Sequence, residues 1–445
     1  MKNLIFLFLL APLVIIPILI LLNNKSYLRN HYLLVCFFTN QLWLVLLFGS
    51  HPEGAYESGS ILTNLITVFV SLVPLIILWV TRSKKNIFES TRSKLSTVIL
   101  RGSWIAYLIL GIYSAFSSKT KLMPVSAAIM FSLLLFLIFE GNFNFNYTLV
   151  AIYRVFSSYT TIIIFTYFVG FNWNQYIVGS QNELIDFESA NYFSPLASFF
   201  NLPPRASGPF GNPQSAAVFS LFGISCYFAA KLPRKNFFVL ISLITFGSLT
   251  GSRTFYVTLI CIMAYYAISN KLPESSVAFW SSILIAMSAT ILILYIFILP
   301  KLLVKTTSLT NFTGRTTLWR LILNNWSSEG LLGHGPNTLR EFATNHVYVS
   351  FAHAHNSVLQ SLWDFGLLGF TCILLLIFSQ ILSISVNPSQ RNRVAGILIC
   401  LLIVQTEPTL QVEIGISSWF WLVPLIFVFS NINNNQSSIL KAENQ

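Results

Sequence analysis

The sequence predicts an all-α fold, a polytopic membrane helix bundle of about 12–13 spans, and three observations predict it. Hydrophobic residues make up 55% of the 445 positions and charged residues only 9%, whereas an ordinary soluble domain carries roughly 25% charged residues. Apolar runs of about 20 residues recur along the chain, each long enough for roughly 30 Å of hydrocarbon. Backbone groups in lipid must bond within their own segment, so these runs are read as helices. Finally, Lys and Arg collect mostly in short connections between the runs, which is how orientation is set in a membrane.

The expected spans lie near 3–22, 31–49, 61–80, 97–116, 123–139, 147–170, 213–230, 237–249, 254–268, 277–299, 356–386, 394–409 and 416–430. The first run has no small-residue cleavage site before Asn23 and further spans follow at once, so it reads as a retained span. The connection 81–96 holds Arg82, Lys84, Lys85, Arg92 and Lys94, which makes it cytoplasmic. Alternation from there puts Lys25, Arg29, Lys231, Arg234, Lys235, Lys271, Arg391 and Arg393 on the same side. Two long segments then face outward: 171–212, carrying Glu183, Asp186 and Glu188, and 301–355. Pro203, Pro204 and Pro209 make the first of these turn-rich. The chain thus divides into N-terminal spans (1–170), an outer loop (171–212), spans with a Ser-Arg turn (213–300), a long outer loop (301–355), C-terminal spans (356–430) and an Asn/Ser-rich tail (431–445) expected to be disordered.

Composition also excludes functions. The net charge of +12 suggests nucleic acid, but the basic residues sit between spans and no basic run alternates with aromatics on a soluble face, so no nucleic-acid partner is expected. Cys36, Cys226, Cys261, Cys372 and Cys400 lie inside apolar runs without metal-ligand spacing and read as small buried hydrophobes. Of the six histidines, His334, His346, His353 and His355 share one stretch, yet no cysteine or nearby paired acid completes a zinc set. No Asp-x-Asp pair and no Gly-rich phosphate loop appears. No metal and no cofactor are expected.

Residues capable of chemistry collect on the outward side in four places: 205–217 (RASGPFGNPQSAA), 250–255 (TGSRTF), 314–320 (GRTTLWR) and 353–369 (HAHNSVLQSLWDFGLLG). An arginine at a membrane edge usually snorkels or touches lipid phosphate. Arg253 differs, because it stands between two spans joined by almost no loop and cannot move far. Arginine is suited to bidentate phosphate or diphosphate recognition. In the fourth segment His355, Leu359, Leu362, Gly366 and Gly369 share one face of a helix. Glycines at its deeper end would let another helix approach, with His355 held at the outer interface.

These segments resemble the O-antigen ligase/polymerase superfamily of bacterial envelope glycosyltransferases. The family pattern His-Asn-x-x-Leu-x-x-Leu-x-x-x-Gly-x-x-Gly matches from His355 and Asn356 through Leu359, Leu362, Gly366 and Gly369. The Gly-Arg-x-x-x-Trp element appears at Gly314, Arg315 and Trp319, and the Ser-Arg turn at Ser252 and Arg253. An Arg-x-x-Gly-x-Phe-x-Asn-Pro element appears at Arg205, Gly208, Phe210, Asn212 and Pro213, with Gln214 departing from the Asn expected next. The resemblance implies a fold similar to C-type membrane glycosyltransferases and a bacterial inner-membrane location with a periplasmic active site. It implies transfer of a glycan from an undecaprenyl-diphosphate carrier to an acceptor, either a lipid-linked repeat unit or the lipid A core, without metal. Arg253 and Arg315 would stabilise the leaving diphosphate and His355 would act as general base, in a cavity shared by the three. Arg205, Asn356 and Trp319 would bind substrate.

The motifs do not separate a polymerase from a ligase, and the polymerase reading is the broader one. A transporter of the same lipid-linked sugar would place ionisable groups near the midplane and show repeated halves. This chain offers Arg101, Arg154 and Asp364 inside spans and no visible repeat. A structural scaffold would leave the outer arginines unexplained.

Overall fold

The apolar runs are helical wherever the computed structural model describes them: residues 2–23, 94–117, 145–169, 213–230, 237–269, 315–328, 330–335, 338–347, 354 and 356–386, with single positions in 32–40 and 73–80. The helices are α1 (Lys2–Asn23), α2 (Lys94–Ser117), α3 (Phe145–Phe168), α4 (Pro213–Ala229), α5 (Phe237–Leu249), α6 (Arg253–Ser269), α7 (Arg315–Asn325), α8 (Thr338–Val347) and α9 (Ser357–Val386). Every regular element among the described residues is helical. Leu149–Phe168 and Ser357–Leu376 are long and apolar enough to cross a membrane, and shorter apolar helices accompany them. The spans expected at 123–139, 277–299, 394–409 and 416–430, the segment 171–212 and the tail lie outside the described residues. The stretch expected as a long loop, 301–355, contains α7 and α8.

Two compact units divide the chain. The first comprises Met1–Ser93, Ser132–Met263 and Gly415–Gln445; the second comprises Lys94–Phe131 and Ala264–Ile414. In the first unit α3, α4 and α5 pack on one another. Phe156 stacks on Phe219 with centroids 4.1 Å apart, and Tyr159 meets Phe219 edge-on at 5.6 Å. Gly223 allows the close approach: a Cβ there would stand 2.9 Å from Leu243 Cδ2 and 3.3 Å from Phe156 Cβ. Helices in lipid gain little from hydrophobic transfer against one another, so small residues and interhelical hydrogen bonds carry association. Ser220 Oγ bonds the Leu243 carbonyl, and Thr160 Oγ1 lies 3.4 Å from Ser242 Oγ. The opposite faces carry bare apolar side chains. Phe165 is 69% exposed, Phe238 81% and Ile260 66%, an arrangement suited to lipid and costly in water.

In α1, Pro12 and Pro17 interrupt the hydrogen-bond ladder. Pro17 has no N–H to offer the carbonyl of Leu13 four residues earlier. The buried side chain of Asn40 supplies the missing donor, its Nδ2 lying 3.0 Å from Leu13 O. Cys36 and Cys226 are buried, as expected; Cys261 and Cys372 are only half-buried.

The second unit is organised by α9 against α2, with Phe365 meeting Tyr107 edge-on at 5.1 Å. Here the structure corrects the expectation of one unbroken helix face from His355 to Gly369. Backbone angles at Gly366 are φ 62° and ψ −155°, a region open essentially to glycine alone, and α9 breaks there. The physical reason is a loop that occupies the break. A helix would pair the carbonyls of Trp363 and Asp364 with the fourth residue on; instead they accept the N–H groups of His334 (2.8 Å) and Gly335 (2.9 Å), while Leu368 N–H donates to Leu331 O at 3.3 Å. Gly366 therefore admits loop backbone, not a neighbouring helix: a Cβ on it would lie 2.5 Å from Leu331 O and 2.6 Å from Gly330 O. Gly333 (φ 73°) is its counterpart, with Trp363 O at 2.6 Å from a Cβ placed there.

Candidate active site

Each of the four motifs spans the start of a described helix: α4 at Pro213, α6 at Arg253, α7 at Arg315 and α9 at Ser357. The turn between α5 and α6 contains only three residues. Thr250 N–H reaches back to Phe246 O (3.2 Å) and Gly251 N–H to Ser248 O (3.1 Å). Gly251 adopts φ 61°, a left-handed conformation that glycine takes without steric penalty. Ser252 then opens α6, its carbonyl accepting Phe255 N–H at 3.1 Å. The hairpin closes tightly because Gly247 has no side chain: a Cβ there would stand 2.6 Å from Phe255 Cδ2. Tyr256 adds a hydroxyl bond to Ser248 O at 3.1 Å. Arg253 is the first residue of α6, and Arg315 the first residue of α7. Pro213 opens α4, a position that wants no N–H.

Helix N-termini leave backbone N–H groups unpaired and carry partial positive charge, so an arginine at such a place adds full charge to an end already suited to anions. Arg253 belongs to the first unit and Arg315 to the second. Arg205 and His355 lie outside the described residues, as does His353.

The surroundings of His355 are described on both flanks. Asn356 is 1% exposed, and its Oδ1 accepts the N–H groups of Val358 and Leu359, each at 3.0 Å. It is the N-cap of α9, satisfying donors that the helix cannot. Before His355, Ala354 is held by both backbone groups: its carbonyl accepts Trp319 Nε1–H at 2.6 Å, and its N–H donates to Gln360 Oε1 at 2.6 Å. Gln360 in turn donates from Nε2 to Asp364 Oδ1 at 2.9 Å. Trp319, at 2% exposure, thus spends its N–H on the chain beside His355.

Behind this network α8 braces the break in α9. The His334 ring lies flat on Trp363, 3.9 Å and 15° from parallel, and Trp363 Nε1–H donates to Thr338 Oγ1 at 3.0 Å. His334, weighed above as a metal ligand, is engaged in packing.

Gln360 and Asp364 escaped the sequence reading as parts of a site. Their signal was available: two polar residues four apart inside an apolar span share a face, and buried polar groups in membranes are costly enough to need partners.

The described helices are consistent with a membrane helix bundle, and Arg253 and Arg315 stand at helix N-termini within it. Residues 237–374 match the family model described as O-antigen ligase. This match takes in the Ser252-Arg253 turn, Gly314-Arg315 with Trp319, and the segment 355–369, and it supports the resemblance to the O-antigen ligase/polymerase superfamily. The family is one of bacterial inner-membrane proteins, and the match supports a polymerase- or ligase-type role in O-antigen assembly. Comparison with curated proteins finds no match.

Proposed function

We propose that the chain is a metal-independent membrane glycosyltransferase. It transfers an undecaprenyl-diphosphate-linked oligosaccharide on the periplasmic face, polymerising O-antigen or exopolysaccharide repeat units. The observation that carries this reading is the family match over 237–374, which contains three motifs that each lead into a helix N-terminus.

The chemistry follows from the leaving group. An acceptor hydroxyl attacks the anomeric carbon of the donor, the bond from that carbon to the diphosphate oxygen breaks, and the carrier diphosphate departs with added negative charge. Arg253 and Arg315, each at a helix N-terminus, stabilise that charge as it develops, with Arg205 in support. His355 takes the proton from the acceptor hydroxyl, a task suited to an imidazole that titrates near neutrality. Asn356 and Trp319 serve the substrate site by fixing the chain on either side of His355. A lipid-linked donor accounts for a site at a membrane edge.

The family description favours one second reading, attachment of the glycan to the lipid A core. A deletion strain analysed by lipopolysaccharide gel electrophoresis separates the two. Loss of long chains with a single repeat retained on the core is the expected result. Loss of all attached glycan makes the protein a ligase, and an unchanged ladder rules out both O-antigen roles.

A further inference from the structure

We propose that Trp319 and Gln360 are positioning residues for His355, acting through the two backbone groups of Ala354 that they clamp. This deepens the reading of His355 as general base and rests on it. The clamp has four members. Trp319 on α7 holds the Ala354 carbonyl, Gln360 on α9 holds the Ala354 N–H, each at 2.6 Å, and Asp364 holds the Gln360 amide nitrogen at 2.9 Å. On the other flank Asn356 caps α9.

The orientation of Gln360 is decided by chemistry. Asp364 Oδ1 accepts from the side-chain nitrogen, so the amide oxygen is the atom left facing Ala354 N–H, which can only donate. Reversing the amide would set oxygen against the carboxylate and nitrogen against an N–H, losing both bonds. Asp364 and Gln360 are each 1% exposed, so the arrangement does not compete with water. Ala354 thereby has both backbone groups paired with side chains of two different helices. A general base gains from such rigidity, because a misplacement of about 1 Å can lower a rate about 100-fold.

The test uses purified full-length protein in lipid nanodiscs with a lipid-linked oligosaccharide donor and measures kcat and KM for donor and acceptor. Gln360→Met keeps the length of the side chain and removes both bonds; Trp319→Phe keeps a smaller buried ring and removes the N–H. Each is expected to lower kcat about 100-fold with both KM values within about twofold, the pattern of a group acting on the chemical step. Each is also made in a His355→Ala background, where neither is expected to lower the rate further, since groups that act as one unit are non-additive. Wild-type kcat in both single variants overturns the proposal. So does a raised KM with kcat intact, which would make these residues substrate contacts, or a full multiplicative loss on top of His355→Ala. If Gln360→Met fails to fold, Trp319→Phe decides alone. A His355→Ala protein that transfers glycan at the wild-type rate removes the base reading itself, whatever the other variants do.

Discussion

His355 and the two motif arginines are separated from their neighbours by the kind of work proposed for them. A lost general base costs about 10²–10⁴-fold in rate, whereas a lost structural contact lowers the amount of folded protein. His355→Ala is therefore expected to fold, bind the lipid-linked donor normally and turn over very slowly, while His353→Ala stays within a few-fold of wild type. Near wild-type turnover of purified His355→Ala removes the assignment. Arg253→Ala and Arg315→Ala are expected to abolish transfer at normal protein level, and the lysine variants to recover only part of it, because an ammonium replaces charge but not the bidentate fork. Full activity in both lysine variants would show that charge alone suffices. These three residues are proposed from the sequence, where each stands in a motif of unusual composition. Gln360 could be marked only as a polar residue paired with Asp364 inside an apolar span, since its role depends on an Ala354 N–H that no pattern reveals.

At the scale of elements, glycine conformation makes the sharpest predictions. Gly366 sits at φ 62°, ψ −155° with loop carbonyls where a side chain would go. Gly366→Ala therefore combines backbone strain of about 1–3 kcal/mol with displacement of a loop whose loss leaves buried carbonyls unpaired at about 1–3 kcal/mol each. Gly330→Ala meets only the left-handed backbone at φ 62°, with nothing within 4 Å of a Cβ placed there, about 1–2 kcal/mol. Thermal unfolding of the solubilised protein is expected to rank them in that order, with Gly366→Ala the lower-melting. Equal midpoints, or a wild-type midpoint for Gly366→Ala, would show that the break in α9 is not held by the 330–335 loop. The sequence carried a hint of this break. The 30 residues of α9 would measure about 45 Å if straight, against roughly 30 Å of hydrocarbon. Yet the same glycines fit a helix-packing stripe equally well, and only a loop distant in sequence chose between the two uses.

For the molecule as a whole, the distribution of basic residues predicts the orientation. A cysteine-free background with Ser83→Cys in the 81–96 connection is expected to resist a membrane-impermeant maleimide in spheroplasts, while Ser308→Cys in the 301–355 segment reacts; the reverse pattern ends the topology and with it the periplasmic site. The helical class of the described residues was set by the sequence itself, because lipid forces backbone pairing into each segment and composition alone reports which segments meet lipid. The apolar run 237–249 and the helix α5 share their bounds for that reason. Tertiary structure alone decided how polar and glycine positions inside the spans are used. Asn40 answers a carbonyl freed by Pro17, Gly366 yields to the loop 330–335, and Trp319 and Gln360 close on Ala354. Each is a hydrogen bond between residues distant in sequence or across a break in the chain's regular path, and its partner is fixed by packing rather than by any local period.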